Sequence, residues 1–374
     1  MPAPDVYCAG ANIRDLPGKK VNSLLLNIVD YFYSDGETAR TNKMIECAAP
    51  TNYIIDSGGY SLLKKEEKGI RTFHIENEPI KYQGSINLTP LHIIIVVKKQ
   101  RPHEFIALDF PVLPVQKLPD PSQPQQESEF YRKLALNVPW AIETAKLRQK
   151  HCPEIGLLIP VQCYNIEQLE VFLNAIDGTK FDGFSMPTRN MTLSQIASFM
   201  IRFYQLGIDR VHLLGVTAFS TLALAAYMSR HFFDSISLDS KTWKDSAKYN
   251  DYLNPHDLSR VGIGNDVIVD DDIKIDCKCP WCRDRSFNYI KHLPYYDRRI
   301  LLGCHNFWVT EKVAIDLYDN SGSVAELERY LKLYCQKTPK IDDLINTLYM
   351  IEVFKDADIR YLQYQFFLSG RKTK

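Results

Sequence analysis

Short apolar runs along the chain keep ending in one polar or turn-forming residue. Residues 53–55 end at Asp56, 105–108 at Asp109, 157–161 at Gln162, 211–214 at Gly215 and 235–238 at Asp239. The run 182–186 ends near Pro187 and Thr188. Between these runs lie segments with apolar residues at helical spacing: 129–150, 166–176, 193–206 and 220–230. In the third, Leu193, Ile196, Ala197, Met200, Ile201 and Tyr204 repeat on one helical face. Strands alternating with helices predict a parallel sheet, either an open doubly wound one or a closed eight-stranded barrel. An open sheet that binds a dinucleotide carries a glycine fingerprint after its first strand. Gly58-Gly59, and Gly262 with Gly264, do not complete one. In a barrel, the groups that do chemistry stand at the carboxyl ends of several strands, where Asp56, Asp109, Gln162 and Asp239 fall. The pattern therefore predicts a single (β/α)8 TIM barrel, although Asp and Gln also end strands simply as turn formers. Beyond it, 324–336, 341–354 and 357–368 read as helices. The Pro- and Gln-rich stretch 119–128 predicts a solvated loop.

Composition narrows the class. The 374 residues carry 45 acidic and 45 basic side chains, so bulk charge cannot be what holds a polyanion; a local basic groove is still open. With 45% hydrophobic residues a full core is expected. The longest apolar-looking run, 91–97, falls well short of the ~20 residues that span a bilayer, and residues 1–5 have no signal-peptide character. No membrane association is expected. Nine cysteines, an odd number and mostly scattered, fit a reducing cytoplasm rather than a disulfide framework.

Three of the cysteines are clustered: Cys277-Lys-Cys279-Pro-Trp-Cys282, followed later by Cys304-His305. Thiolates and imidazole are the donors that zinc favours, and four of them close a tetrahedron with no position for water. The expectation is a structural Zn2+ site formed by Cys277, Cys279, Cys282 and His305, with His292 and Cys304 as rival fourth ligands. Clustered thiols can also be ordinary core. The same segment is locally basic and aromatic: Lys278, Arg283, Arg285, Lys291, Arg298 and Arg299 interleave with Phe287, Tyr289, Tyr295 and Tyr296. Such a face suits phosphates and bases, or is a solvated helix with its rings packed inward. The acidic run 270–272 reads as a solvated turn.

Taken in order, Asp56-Ser-Gly-Gly-Tyr60, Ala107-Leu-Asp109, Val161-Gln162, Phe181-Asp-Gly-Phe184, Leu213-Leu-Gly-Val216 and the Cys277/Cys279/Cys282/His305 motif resemble the tRNA-guanine transglycosylase superfamily. Tyr289-Ile-Lys-His-Leu293 and His305-Asn306 are also similar to its zinc subdomain, and the likeness covers about 50–310. The resemblance implies a (β/α)8 barrel with an inserted zinc-binding subdomain (about 265–310), followed here by C-terminal helices (311–374). It implies replacement of guanine in a polynucleotide by a 7-deazaguanine base through an Asp–sugar ester. In that picture Asp56 is the general acid/base. Ser57, Gly58 and Gly59 lie beside it. Asp109 and Gln162 read the purine edge, and Met186 (like Cys163) lines the pocket or is plain core. The nucleophile is Asp239, which ends its strand, or Asp234, which matches without a gap from Gly215-Val216.

The chain departs from the tRNA enzymes where they hold purine and tRNA. Ser185-Met-Pro-Thr-Arg-Asn190 replaces a glycine-rich segment, Ser240-Lys-Thr-Trp243 replaces a Pro-Thr-Arg, and Tyr60-Ser61 replaces an aromatic-glutamine pair. These departures favour DNA as substrate, as in the DpdA-like branch that places 7-deazaguanines into DNA. Exchange on tRNA is the alternative. A non-catalytic partner subunit and an unrelated zinc-stabilised barrel are the remaining readings, and a homodimer, as in relatives, would follow from an apolar patch on the zinc helices, which the sequence does not reveal.

Overall fold

The computed structural model describes residues 2–9, 21–28, 44–59, 80–82, 86–112, 124–189, 191–216, 218–263, 277–335, 338 and 340–372. Eight parallel strands close into a barrel: β1 (Asp5–Ala9), β2 (Ser23–Asn27), β3 (Asn52–Asp56), β4 (Glu104–Ile106), β5 (Gly156–Pro160), β6 (Gly183–Pro187), β7 (Arg210–Leu214) and β8 (Ser235–Ser240). Each pairs with its neighbours in the chain, and β8 closes on β1. Helices α1 (Pro90–Gln100), α2 (Pro124–His151), α3 (Ile166–Ala175), α4 (Leu193–Gln205) and α5 (Phe219–His231) separate β3 through β8. A short α6 (Thr242–Lys248), then α7 (Phe287–His292) and the long α8 (Tyr295–Asp319) follow the last strand. Helices α9 (Val324–Tyr334), α10 (Ile341–Phe354) and α11 (Ile359–Lys372) complete the chain, with α10 and α11 packed on α4. Helix α8 runs through residues 310 and 311, where the sequence divides the zinc segment from the C-terminal helices. No helix among the described residues is long and apolar enough to cross a membrane.

Alternation along the strands gives the barrel two apolar layers. Val211, Leu213, Phe184 and Met186 point outward into the main core, where they meet helix residues such as Phe199, Phe203 and Leu224. Each fully buried side chain of this size contributes roughly 1.5–3 kcal/mol. Tyr7, Ile54, Ile106 and Leu158 form a separate cluster in the barrel interior, with Leu25 and Leu214 against it. At the amino ends of the strands, Glu104 and Arg210 pair at 2.8 Å. Gly183 makes room there: a Cβ on it would come within 2.5 Å of the Arg210 carbonyl oxygen.

One expectation is corrected. Pro124 to Ser128 are not loop but the opening of α2, a position where proline's missing N–H costs nothing; 119–123 lie outside the described residues. The apolar run 91–97 lies within α1, capped by Thr89, whose hydroxyl accepts from the His92 backbone N–H. Strands β1 and β2 were not anticipated. Tyr60, Asn190, Gly264 and the run 270–272 lie outside the described residues.

Candidate active site and metal centre

The carboxyl ends of β3, β4, β5 and β8 bring four of the sequence-selected side chains to one mouth of the barrel. Asp56 is the last residue of β3, and its Oδ2 accepts from Asn27 Nδ2 at 2.8 Å across the β2–β3 register. Asp109, just after β4, is held at both oxygens. Ser57 Oγ donates to Oδ1 at 2.5 Å, and Gln162 Nε2 donates to Oδ2 at 2.6 Å. Gly58 takes φ +84°, a backbone state that suits glycine, and its N–H reaches the Asp56 carboxylate. A Cβ at Gly59 would lie 2.5 Å from Asp109 Oδ1, so only glycine lets the two segments approach this closely. Gln162 Oε1 is buried with no hydrogen-bond partner among the described residues.

Burial dominates the electrostatics. It pushes Asp56 up to about 7, and the charges of Asp109 and Asp239 add to the rise; the Gly58 N–H and Lys241 work against it. Burial likewise raises Asp109 to about 6, opposed by the hydrogen bonds from Ser57 and Gln162. A carboxyl group near 7 can give and take a proton at neutral pH, which an ordinary aspartate near 4 does poorly.

The two nucleophile candidates are placed at opposite ends of β8. Asp239 lies near its carboxyl end and is buried, with Oδ1 accepting from the Gly215 backbone N–H at 2.9 Å. Asp234 precedes the strand at its amino end and is exposed. Met186 is fully buried on the outward face of β6, among the apolar side chains between sheet and helices, so the structure does not bring it to the carboxylates. Cys163 is also fully buried in that core.

Several supporting residues escaped the sequence reading. Asn27 ends the run Ser23-Leu-Leu-Leu, the same signal that marked Asp56. Asn137 of α2 brackets Phe110, accepting from its N–H at 2.7 Å and donating to its carbonyl at 3.1 Å. Lys133, also of α2 and fully buried, donates to the Pro111 carbonyl oxygen. These contacts pin the backbone that carries Asp109. His212, a polar residue between the apolar Val211 and Leu213 of β7, lies within 3.5 Å of Asp239.

The second constellation is the buried group Cys277, Cys279, Cys282 and His305, whose donor atoms all lie within 4.8 Å of one another. His305 Nδ1 faces the three sulfurs at 3.6, 3.4 and 3.3 Å. A tetrahedral ion with bonds of about 2.3 Å to sulfur and 2.0 Å to nitrogen gives edges of about 3.5 Å. On its far side the ring meets the Leu253 carbonyl oxygen at 2.9 Å, which requires the proton on Nε2 and leaves the Nδ1 lone pair for an ion. The donor set can therefore hold a metal ion. His292 is exposed and bonded to the Asn288 carbonyl oxygen, and Cys304 stands outside the cluster. Asn306, next to His305, accepts from Leu253 N and donates to the carbonyl oxygens of Trp243 and Asp251. The cluster thus ties α8 to the segment that leaves β8 just after Asp239.

A closed parallel barrel with acidic groups at the carboxyl ends of its strands and a Cys3His cluster at its side defines a class of barrel enzyme. A family model described as TGT: Queuine tRNA-ribosyltransferase matches residues 35–317, about three quarters of the chain. The chain belongs to this family of guanine transglycosylases, pentosyltransferases that act on nucleic acid. A search of curated proteins found no match.

Proposed function

We propose that this transglycosylase exchanges a guanine in DNA for a 7-deazaguanine base, with Asp239 as nucleophile and Asp56 as general acid/base. The observation that carries the reading is that Asp56 and Asp239 stand at the carboxyl ends of β3 and β8, at the same mouth of the barrel, whereas Asp234 precedes β8 at its other end. In the first half-reaction the Asp239 carboxylate attacks C1′ and the bond from C1′ to the base nitrogen breaks. The departing guanine takes a proton from Asp56. In the second, Asp56 removes a proton from the incoming base, whose nitrogen attacks C1′ and releases the Asp239 carboxylate. Two such displacements retain configuration, as in retaining glycosidases. A target inside a duplex must first be rotated out, at a cost of a few kcal/mol.

Asp109 and Gln162 are assigned to the purine edge, with the buried Gln162 Oε1 offering an acceptor to a base N–H. Ser57, Gly58 and Gly59 shape the floor beneath it. Zinc is assigned to Cys277, Cys279, Cys282 and His305, where it would fix the fold around α8; with four protein ligands it has no place in the reaction.

Support for DNA over tRNA comes from the segment after Asp239. Ser240 Oγ accepts from Thr242 N at 3.0 Å, and the chain turns directly into α6 with Trp243 buried. An exposed arginine grip of the kind that the resemblance leads one to expect is not formed by these residues. The zinc helices expose Tyr289, Tyr295 and Tyr296, with the Arg285 guanidinium 4.8 Å from the Tyr289 ring. This face is assigned to the nucleic acid backbone and unstacked bases. A homodimer through the same helices would bury these tyrosines and show as a doubled mass in sedimentation.

The test is incubation with labelled guanine or a 7-deazaguanine, offering duplex DNA and tRNA in parallel. Label in DNA alone supports the reading; label in tRNA alone overturns the substrate and keeps the chemistry. Label in neither, from a folded and zinc-loaded chain, makes the protein a non-catalytic partner.

A further inference from the structure

The interior of the barrel holds a polar layer that the exchange chemistry does not account for. Ser185, His212 and Ser237 sit side by side in register on β6, β7 and β8. His212 has no exposed surface. Its Nδ1 lies 2.8 Å from Ser237 Oγ, and Tyr7 meets its ring edge-on at 5.8 Å. Its Nε2 has no hydrogen-bond partner among the described residues, and the nearest acid is Asp239, with Oδ1 at 3.5 Å. An imidazole buried this way is costly unless both nitrogens are matched, whereas an apolar ring would fill the same space without penalty.

We infer that His212 is a positioning residue for Asp239, with Nε2–H directed at Oδ1 and the Ser237 hydroxyl donating to Nδ1 to fix that tautomer. Oδ1 then has two donors, the Gly215 N–H and His212 Nε2–H. Oδ2 has no hydrogen bond among the described residues and is the oxygen presented to the sugar. Holding one oxygen fixes the plane of the carboxylate, and it stabilises the anion as the ester breaks in the second displacement. A distance of 3.5 Å is long for a hydrogen bond, and such contacts commonly tighten when substrate fills the site. The inference rests on the reading of Asp239 as nucleophile, so its test includes an arm that does not depend on turnover.

In that arm, long-range proton–nitrogen NMR identifies the His212 ring by its loss in His212→Phe. The expected result is the Nε2–H tautomer, with its resonances shifted by Asp239→Asn. An Nδ1–H tautomer, or no response to Asp239→Asn, overturns the contact. In the kinetic arm, His212→Phe is expected to lower kcat roughly ten- to a hundredfold, the size of one hydrogen bond to a charged group, with KM within about threefold. His212→Gln, whose amide N–H reaches the place of Nε2, should restore most of that loss; His212→Asn, too short to reach, should not. If Gln and Asn behave alike, or if the whole effect falls on KM, the positioning role is overturned. This comparison stands even where the Phe variant fails to fold. An inactive wild-type chain that still shows the coupled tautomer would overturn the nucleophile assignment and not the contact.

Discussion

Asn27 and Asp56 are register partners on β2 and β3, and the Asn27 amide donates to Asp56 Oδ2 at 2.8 Å. A hydrogen bond to the charged form favours it, so Asn27 works against the burial that raises this carboxyl group. Asn27→Ala is expected to raise Asp56 further and to slow base exchange about tenfold, mostly in the step where Asp56 must accept a proton. Single-turnover rates with a pre-formed covalent complex check this.

The two raised aspartates also make stability depend on pH. Asp56 at about 7 and Asp109 at about 6 bind more protons in the folded chain between pH 4 and 7 than ordinary carboxyl groups do in the unfolded chain. Their contribution therefore falls as pH rises through that window. Asp56→Asn is expected to stabilise the protein at pH 8, by up to about 4 kcal/mol, and to change little near pH 4. Denaturant titrations at the two pH values measure the difference; equal effects at both would refute it.

On the proposed mechanism, formation of the ester needs a protonated Asp56. Its rate is expected to decline above about pH 7, with the limb moved to lower pH in Asp109→Asn, because removing that neighbouring charge eases ionisation of Asp56. Quenched-flow trapping of the covalent complex across pH 5–9 reads the limb directly.

Gly59→Ala would put a methyl group 2.5 Å from Asp109 Oδ1. The carboxylate and its bonds to Ser57 and Gln162 would have to shift. The expected outcome is a folded enzyme with a markedly higher KM for the base, on the scale of about 1–3 kcal/mol of strain or lost contacts. Calorimetric titration with the free base provides the check.

On the zinc assignment proposed above, treatment with a strong chelator, or Cys279→Ser, is expected to loosen α8 and the Trp243–Leu253 segment together. The loss should be at least about 3 kcal/mol, since breaking a structural site removes folding energy outright. Metal analysis alongside thermal melting tests this; full stability in a metal-free chain would contradict it. Asp234→Asn, at the exposed amino end of β8, should leave exchange near wild type, whereas Asp239→Asn should abolish it.

The sequence by itself determined the strand-and-helix alternation from β3 to β8, the polar residues that end those strands, and the Cys277/Cys279/Cys282/His305 set. Each is a local signal: a period of two or 3.6, a turn former, a tight ligand spacing. Strand β2 obeys the same rule as β3, ending in Asn27, yet its run of three leucines is too short to stand out without its neighbours. The helical start of α2 was hidden because proline and glutamine composition is ambiguous between an extended loop and a helix opening. What only the tertiary structure decided is which way each side chain faces and which side chains meet across the barrel. That put Met186 in the outer core and His212 against Asp239. The physical reason is that barrel closure and register, set by pairings between residues far apart in the chain, choose the inner face and the carboxyl rim, and no local pattern encodes that choice.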